Sequence, residues 1–292
     1  MKEGVLVSLS DTHLAAGREE DTTNAELLRE FTDWVSKDGF LTAIAGDVYD
    51  YYQSAGFKNV VMRHPEIHAI LSDGMNRGRI LPVNGNHDPE LLKHLRGYVK
   101  GDAWEKLKRS FYTSDWKLRI PDMQTDITHG HEFEASYNFI IGKPWERYMN
   151  WLLGRIEQYI WKDIDAWFAK KTRDLRKGIL EKFDRAAAEM LTKNKGYPIR
   201  IIGHTHTPDF KVIDKGEDGK PLIYTPDDID LSEPVEFELG GKMYLLNDGA
   251  CVNGRCDYLV LVKLDRRKYR AAYMRMSDGM GTAVLKKYGV LD

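Results

Sequence analysis

Hydrophobic residues in this chain fall into short runs separated by glycine and polar residues. Five runs are apolar and β-prone, and each ends just before a polar cluster; they cover residues 5–9, 41–45, 79–83, 123–128 and 198–202. Short bounded runs of this kind are typical of buried strands. Behind the first run, Leu28, Phe31 and Val35 recur at helical spacing after the capping-box sequence Thr23-x-x-Glu26. Strands that alternate with helices predict an α/β fold.

Two further stretches between the strands, residues 56–75 and 88–97, have a helical pattern. Pro65 lies inside the first stretch and is expected to interrupt it, because proline removes a backbone hydrogen bond within a helix. After Thr207 the pattern changes to short runs that are expected to complete a second sheet. These runs cover residues 210–213, 222–224, 235–239, 243–246, 258–264 and 269–274.

Residues 143–196 differ from the rest of the chain in pattern and in charge. Pro144 suits the first turn of a helix, and apolar residues follow at helical spacing. The segment has four of the seven tryptophans, and its 13 Lys and Arg against 8 Asp and Glu give it a charge of +5. We therefore predict a helical cap, residues 143–196, inserted into a core formed by residues 1–142 and 197–292.

Composition limits the class of protein. A chain of 292 residues with 42% hydrophobic content can bury one sizeable core, and its net charge is −2. The first strand begins almost at the N-terminus, and no apolar stretch reaches the length of a membrane span, so we expect neither a signal peptide nor a transmembrane helix. Cys251 and Cys256 lack a second pair for zinc, and we expect them to be reduced thiols in a cytoplasmic protein.

Acidic and histidine-rich motifs follow the five strand-like runs. They read Asp11-Thr-His13, Gly46-Asp47-Val-Tyr-Asp50, Gly85-Asn86-His87-Asp88, His129-Gly-His131 and Gly203-His204-Thr-His206. Open α/β sheets build their sites at the carboxyl ends of strands, so these motifs are expected to meet. Gly46, Gly85 and Gly203 lie where the backbone must turn tightly.

The donor types indicate a site for two divalent metal ions. Two close cations repel each other, so at least one anionic ligand should bridge them. Imidazole with carboxylate suits manganese, iron and zinc, whereas calcium prefers oxygen alone. The ligands are too few to fill two coordination shells, which indicates a catalytic site with open positions rather than a structural one. A single Asp-x-His motif would be a weak signal; the five motifs in order are specific.

On these motifs the chain is similar to calcineurin-like metallophosphoesterases, and the likeness extends from the first strand to about residue 206. The resemblance implies two packed β-sheets flanked by helices, a four-layer sandwich, here with the helical cap. By position, the first metal would be held by Asp11, His13, Asp47 and His206, and the second by Asp47, Asn86, His129 and His204. Asp47 would then bridge two divalent ions, with Mn²⁺ as the first choice and Fe or Zn as alternatives.

The resemblance also implies a reaction. A metal-bound hydroxide would attack phosphorus in line, and the bond broken would be a phosphoester or a pyrophosphate. His87 would act as general acid or charge stabiliser at the leaving oxygen, and Asp50 would orient His87.

The substrate is expected to be a phosphorylated small molecule or a nucleotide-type compound. His131, Arg147 and Tyr148 are candidate substrate contacts, although His131 and Asp88 could also serve a supporting role. A helical insertion between the last two motifs resembles the UDP-2,3-diacylglucosamine diphosphatase branch, but Gly85-Asn-His-Asp88 departs from the Asn-Arg-Asp form common there. His64, His68 and His94 lie outside the motifs and are expected to be ordinary core or surface residues.

Three alternatives remain open. A nucleic-acid phosphodiesterase or nuclease shares the Gly-Asn-His-Asp and Gly-His-x-His motifs, yet the chain has no long basic stretch other than the +5 segment, so nucleic acid is the less favoured substrate. A non-catalytic scaffold could keep the fold, although it would be expected to lose ligands. The aromatic, basic helices of 143–196 could also contact lipid at a membrane surface.

Overall fold

The computed structural model describes most of the chain outside the predicted cap. The described residues are 4–15, 19–51, 54, 56–88, 91–110, 117–133, 185–189, 196–216, 219–252, 255–278 and 280–291. Of the predicted insertion 143–196, only residues 185–189 and 196 are among them, so its boundaries stay a prediction.

The first sheet is mixed and is built around strand β1. Its strands, in the order in which they pair, are β3 (Ile80–Pro82), β2 (Leu41–Ile44), β1 (Val5–Leu9), β12 (Arg255–Lys263), β13 (Lys268–Arg275) and β9 (Val235–Glu238). The short strand β11 (Cys251–Val252) pairs with β12 beside this path. Strands β1, β2 and β3 run parallel, with Leu6 opposite Leu41. Their carboxyl ends therefore lie at one edge of the sheet.

The second sheet is also mixed. Its order is β4 (Lys117–Ile120), β5 (Thr125–Thr128), β6 (Ile199–Ile202), β10 (Met243–Asn247), β7 (Asp209–Lys215) and β8 (Pro221–Tyr224). Strands β5, β6 and β10 are parallel to one another, and the outer strands pair antiparallel with their neighbours. Residues that follow β5, β6 and β10 consequently lie at a common edge.

Alternation along β1 shows how the two sheets pack. Val5, Val7 and Leu9 belong to one buried cluster with the helices, whereas Leu6 belongs to a second cluster that joins the two sheets. The second cluster also contains Ile127 of β5 and Ile201 of β6. Since successive side chains of a strand point to opposite faces, β1 is buried on both sides. The predicted fold, two packed β-sheets flanked by helices, is confirmed.

Helices cover the outer face of the first sheet. They are α1 (Glu19–Asp38), α2 (Phe57–Arg63), α3 (Pro65–Asn76), α4 (Leu91–Leu95), α5 (Gly101–Ser110) and, near the C-terminus, α6 (Thr282–Lys287). Phe31 of α1 and Leu71 of α3 are buried in the cluster that contains Val7. Short 3₁₀ turns occupy Pro121–Met123, His131–Phe133 and Met276–Asp278. Among the described residues, no helix combines the length and apolar composition needed to cross a membrane.

The outer face of the second sheet has its own small cluster. Residues 185–189 are helical, and Ala187 and Ala188 are buried there with Ile202 of β6, Leu245 of β10 and Phe133. This part of the predicted insertion thus packs on the core through small side chains.

The late strands do not all join the second sheet. Strands β9, β12 and β13 belong to the first sheet, where β12 runs antiparallel to β1 with Val7 opposite Val260. The prediction that every strand after Thr207 completes the second sheet is wrong for these three. The apolar pattern of β12 fits a buried central strand in either sheet, and only tertiary pairing decides between them.

The two cysteines lie side by side on neighbouring strands, and their expected reduced state stays a prediction. Cys251 and Cys256 lie directly opposite each other on β11 and β12, with 3.8 Å between their Cα atoms. Directly opposed residues on neighbouring strands project from the same face, so their side chains meet. The spacing of the two cysteines in the sequence did not reveal this register.

Candidate metal centre

The backbone at the candidate ligands adopts a conformation that most residues avoid. Among the described residues, six other than glycine have a positive φ between 43° and 67°: Asp11, His13, Asp47, Gln124, His204 and His206. Five of these six are predicted metal ligands. The left-handed region costs about 1–2 kcal/mol per residue, and such strain concentrates at functional sites.

The first group of donors comes from the ends of β1 and β6. His206 Nε2 lies 3.2 Å from Asp11 Oδ1, and His13 Nε2 lies 3.9 Å from the same oxygen. The three donor atoms all lie within 4.8 Å of one another. A single cation could contact one atom from each of the three residues.

The second group of donors surrounds His129. Its Nε2 atom lies 3.1 Å from Asp47 Oδ2, 2.9 Å from Asn86 Oδ1 and 3.2 Å from His204 Nδ1. Three strand ends supply the first three residues, and His204 comes from the loop after β6. All three neighbours thus contact the same nitrogen, and the donor atoms of Asp11, Asp47 and His129 lie within 4.8 Å of one another.

Asp47 connects the two groups. Its Oδ2 atom is 3.1 Å from His129 Nε2 and 3.9 Å from His13 Nε2, so one oxygen faces both sets of donors. Asp11 Oδ1 lies 4.0 Å from His129 Nε2, which places the second carboxylate next to the same junction.

Each carboxylate has one oxygen bound by the protein. Asp11 Oδ2 accepts hydrogen bonds from the Ser10 hydroxyl and from the backbone N–H of His204, at 2.9 Å for the latter. Asp47 Oδ1 accepts the backbone N–H of His87 at 2.8 Å. The remaining oxygens, Asp11 Oδ1 and Asp47 Oδ2, are the ones that face the histidines.

The orientation of His129 fits a bound cation. Its Nδ1 atom lies 2.8 Å from the carbonyl oxygen of Ala45, which can only accept, so Nδ1 carries a hydrogen. Neutral His129 then presents a lone pair at Nε2 to the oxygens of Asp47 and Asn86. Three acceptor atoms this close repel one another unless a positive charge lies between them. The donor set of imidazole, carboxylate and amide oxygen suits a first-row transition metal.

His87 and Asp50 form a hydrogen-bonded pair beside these groups. His87 Nδ1 lies 3.0 Å from Asp50 Oδ2, and the His87 ring meets the His13 ring edge-on at 4.6 Å between centroids. Asp50 is fully buried, whereas a quarter of the His87 side chain is exposed. His87 therefore lies at the open side of the centre, where a substrate could reach it.

The histidines and carboxylates shift each other's pKa in opposite directions. Burial favours the neutral form of Asp11, but His206 and His129 hold the pKa of Asp11 well below its ordinary value. Burial also opposes charge on His129, yet the carboxylates of Asp47 and Asp11 raise the pKa of His129 to about 10. Without a metal, protons would thus supply the positive charge that the donor groups require.

Asp50 and His87 behave in the same way. Burial would raise the pKa of Asp50, but His87 and His13 lower it far below its ordinary value. Burial would lower the pKa of His87, but Asp50 and Asp47 raise it to about 10. The metal-free protein therefore favours the protonated form of His87.

The motif glycines leave room for the ligands. A β-carbon at Gly85 would overlap the carboxylate of Asp47, and one at Gly46 would overlap the ring of His129. At Gly203 it would collide with Ser10 and approach Asp11 Oδ2. The absence of a side chain at these positions thus lets two strand ends come together at the centre.

Asp88 has a structural role that the sequence left open. Its fully buried carboxylate accepts backbone N–H groups of Gly85 at 2.7 Å, Val48 at 2.8 Å and Tyr49 at 3.2 Å. It therefore joins the loops that contain Asp47 and Asn86. Burial and the nearby Asp47 raise the pKa of Asp88 to about 7.

Sequence reasoning gave no role to Asp248 or Ser10, although the loop from Asn247 to Cys251 follows a strand and was expected to approach the site. Both are fully buried, and Asp248 Oδ1 lies 2.7 Å from Ser10 Oγ, which also contacts the candidate ligand Asp11. Neither residue belongs to a histidine-containing motif. The polar sequence Asn247-Asp-Gly after a strand was the signal for Asp248, and no comparable signal marked Ser10.

The other predicted contacts have different outcomes. His131 is buried, and its ring lies 5.4 Å from that of His129 between centroids, next to the centre. Arg147 and Tyr148 lie outside the described residues. The Nδ1 atom of His68 lies 2.9 Å from Tyr49 Oη, and His94 stacks on Phe57, as expected of histidines without a role in the centre.

Comparison with known proteins identifies the family. The family model described as "Calcineurin-like phosphoesterase" matches residues 5–208, which include every candidate metal ligand. This chain belongs to the calcineurin-like phosphoesterase family. No curated protein matches the chain.

Solved structures of a cold-active protein tyrosine phosphatase are similar to the chain at 14% sequence identity. The match to a structure at 1.1 Å covers 89% of this chain and 74% of the phosphatase chain, with a TM-score of 0.35. A structure of a point mutant covers 88% and 75%, with a TM-score of 0.37. A further structure, of the enzyme from a psychrophilic Shewanella species, covers 89% and 76%, with a TM-score of 0.35.

Proposed function

We propose that this protein is a phosphoester hydrolase that works with two divalent metal ions, Mn²⁺ being the first choice and Fe or Zn the alternatives. Asp11, His13 and His206 would hold one ion, and Asn86, His129 and His204 the other. Asp47 would bridge them. The observation that carries this proposal is the position of Asp47 Oδ2, which faces His129 Nε2 at 3.1 Å and His13 Nε2 at 3.9 Å.

The protein supplies an anionic, preorganised pocket with one open side. Bound divalent ions would provide an activated water for attack on phosphorus and would neutralise phosphate charge. Asp11 and Asp47 are almost completely buried, whereas the side chains of His13 and His206 are 19% and 32% exposed. The phosphate would therefore approach past the histidines, on the side opposite the buried carboxylates.

His87 would protonate the leaving oxygen. Asp50 accepts the Nδ1 hydrogen of His87, so Nε2 is the atom available to the substrate. Asp50 favours the protonated form of His87 through this contact, so the ring would hold a proton for the oxygen on which negative charge develops. Asp50 holds the ring and stabilises its charge.

The substrate class is a phosphorylated small molecule or a nucleotide-type compound, with the bond a phosphoester or a pyrophosphate. Support comes from the ligand set and from the +5 charge of residues 143–196, which suits an anionic substrate near the centre. The lipid-bearing nucleotide sugar of the UDP-2,3-diacylglucosamine diphosphatase branch is a narrower proposal that depends on that insertion.

Hydrolysis of two model substrates tests the proposal. The wild type should hydrolyse p-nitrophenyl phosphate or bis-p-nitrophenyl phosphate when Mn²⁺ is present and lose this activity when the metal is chelated. Asp47→Asn should reduce turnover by more than about 100-fold, beyond the usual cost of removing a partner outside the ligand set. Asp265→Asn, in the exposed turn before β13, is the control and should match the wild type.

The preferred ester separates a phosphomonoesterase from a diesterase or pyrophosphatase. Turnover that survives both chelation and Asp47→Asn would contradict the proposal. Hydrolysis of single-stranded DNA at a higher rate than either model ester would favour the nuclease alternative.

A further inference from the structure

Asp248 links the two sheets directly beneath the candidate metal centre. It follows β10 of the second sheet, and its backbone N–H donates to the carbonyl of Ile202 at 3.0 Å. Its side chain reaches the first sheet, where Ser8 Oγ of β1 lies 2.6 Å from Oδ2 and Oγ of Ser10, the residue after β1, lies 2.7 Å from Oδ1. All three side chains are fully buried.

The number of hydrogens available at Ser10 determines whether Asp248 is protonated. Ser10 Oγ has three oxygen neighbours, Asp11 Oδ2, Asp248 Oδ1 and the carbonyl of Gly249 at 3.0 Å, but its hydroxyl has one hydrogen. Close contact with two carboxyl oxygens therefore requires a second proton. Asp11 is an anionic metal ligand in the proposed function, so the proton belongs to Asp248. Burial raises the pKa of Asp248 to about 7, which is consistent with this assignment.

These protons give the hydrogen bonds a direction. A neutral Asp248 would donate from Oδ1 to Ser10 Oγ, while its Oδ2 accepts from Ser8. Ser10 then donates to Asp11 Oδ2, which also accepts the backbone N–H of His204. With both donors on Oδ2, Asp11 presents Oδ1 to His206 and His13.

The neighbouring residue supports the other side of the same pocket. Asn247 Nδ2 donates to the carbonyl of Gly203 at 3.0 Å and to Thr205 Oγ1 at 2.6 Å. Its Oδ1 accepts the backbone N–H of Gly249 at 3.0 Å. Residues 247–249 thus contact both the loop that contains His204 and His206 and the serine that holds Asp11.

We propose that Asp248 is a positioning residue for the metal centre, which acts by donating a hydrogen bond to Ser10 and so fixes Asp11 with Oδ1 toward the metal. This inference rests on the proposed function. Partners of this kind typically change metal affinity by roughly 10–100-fold when they are removed.

Three variants test the inference: Asp248→Ala, Asp248→Asn and Ser10→Ala. The Mn²⁺ dissociation constant is measured by calorimetry on each folded protein, together with the Tm of the metal-free form. We expect Asp248→Ala and Ser10→Ala each to weaken Mn²⁺ binding by about 10–100-fold. Asp248→Asn should stay close to the wild type, because its amide can donate to Ser10 and accept from Ser8. Ser10→Ala combined with Asp248→Ala should be no weaker than either alone.

Asp126→Ala is the matched control for loss of a buried carboxylate. Asp126 lies on β5 and contacts Lys117, Arg119 and Arg200, none of which is a candidate ligand. This variant should lower the Tm and leave Mn²⁺ affinity unchanged. A folded Asp248→Ala protein with wild-type affinity would overturn the inference.

The inference would also be overturned if Asp248→Asn bound Mn²⁺ as weakly as Asp248→Ala. In that case the negative charge of Asp248, and not a donated hydrogen bond, would support metal binding. If Asp248→Ala does not fold, the comparison of Ser10→Ala with Asp248→Asn decides in the same way. A wild-type protein that fails to bind Mn²⁺ contradicts the proposed function instead, so the two failures are distinguishable.

Discussion

At the scale of single residues, three of the functional side chains share one arrangement. His129, His87 and Asp47 each have one polar atom bound by the protein and another left for an ion or a substrate. His129 Nδ1 donates to the carbonyl of Ala45, and His87 Nδ1 donates to the carboxylate of Asp50. Asp47 Oδ1 accepts a hydrogen bond from the backbone N–H of His87. Rings and carboxylates held in this way lose little freedom when an ion or a substrate binds, which favours binding.

The proposed role of His87 predicts an effect that depends on the leaving group. His87→Ala should lower kcat by roughly 10²–10⁴-fold on an alkyl phosphate, whose leaving oxygen needs a proton. The loss should be much smaller on p-nitrophenyl phosphate, because p-nitrophenolate leaves without one. Steady-state kinetics on the two substrates measure this difference.

Asp50→Asn is the companion variant. It keeps the size of the side chain and a hydrogen-bond acceptor but removes the charge. Its kcat on the alkyl phosphate should therefore lie between that of the wild type and that of His87→Ala. An equal loss on both substrates for His87→Ala would assign His87 to the binding of phosphate rather than to proton transfer.

The pKa of His129 predicts that metal binding releases protons. In the metal-free protein, Asp47 and Asp11 raise the pKa of His129 to about 10, so Nε2 is protonated at neutral pH. A metal ion must replace that proton, and affinity for Mn²⁺ should therefore rise as the pH rises from about 6 toward about 9, because the proton becomes easier to remove.

Calorimetry at about pH 7.5 in two buffers of different ionisation enthalpy counts the protons. We expect a net release of about one or more per chain for the wild type and a smaller release for His129→Asn. Binding without proton release would contradict the assignment of His129 as a ligand.

At the scale of elements, the centre is built from loops that leave strands and turn back at once. Gly85 is the clearest case, because a β-carbon there would overlap both the carboxylate and the backbone nitrogen of Asp47. The loop after β3 can therefore approach the loop after β2 only if residue 85 has no side chain. Asp88 then fastens the two loops through three backbone N–H groups.

Gly85→Ala should separate these loops. We expect a loss of about 1–3 kcal/mol in the free energy of unfolding, the usual cost of forcing atoms into a packed site, together with weaker Mn²⁺ binding. Gly97→Ala is the control, because a β-carbon there meets only the carbonyl oxygen of His94 at 3.9 Å. Urea unfolding with and without Mn²⁺ measures both effects; wild-type values for Gly85→Ala would contradict the close approach.

The sequence predicts the elements better than their partners. The five motif-bearing strands and the break at Pro65, which separates α2 from α3, are confirmed because they follow from local periodicity and from proline chemistry. Strand β4 and helix α5 were not predicted, since Lys117–Ile120 is short and has two basic residues. The assignment of β9, β12 and β13 to the first sheet depends on long-range pairing, which no local pattern contains.

Part of the candidate metal centre was also predictable from local sequence. Its histidines and aspartates form ordered motifs, whereas Asp248 and Ser10 are single polar residues whose importance depends on contact across the two sheets. Their burial on the face that joins the sheets, next to Asp11, becomes visible only once the fold is known.

At the scale of the whole molecule, the metal centre lies at the junction of two sheets. The first sheet contributes Asp11, Asp47 and Asn86 from the ends of β1, β2 and β3, and the second contributes His129 and His204 from the ends of β5 and β6. Asp248 joins the same two sheets through its hydrogen bonds with Ser8 and Ser10. Ions bound at this junction would tie together the two halves of a fold whose cores lie on either side of the first sheet.

The central claim is that two metal ions share Asp47, and anomalous diffraction from a crystal grown with Mn²⁺ tests it most directly. We predict two anomalous peaks about 3.5–4 Å apart, one on each side of Asp47 Oδ2, the first against Asp11, His13 and His206 and the second against Asn86, His129 and His204. Crystals of Asp47→Asn should lose at least one peak. A single peak in the wild type, or two peaks that do not flank Asp47, would contradict the account.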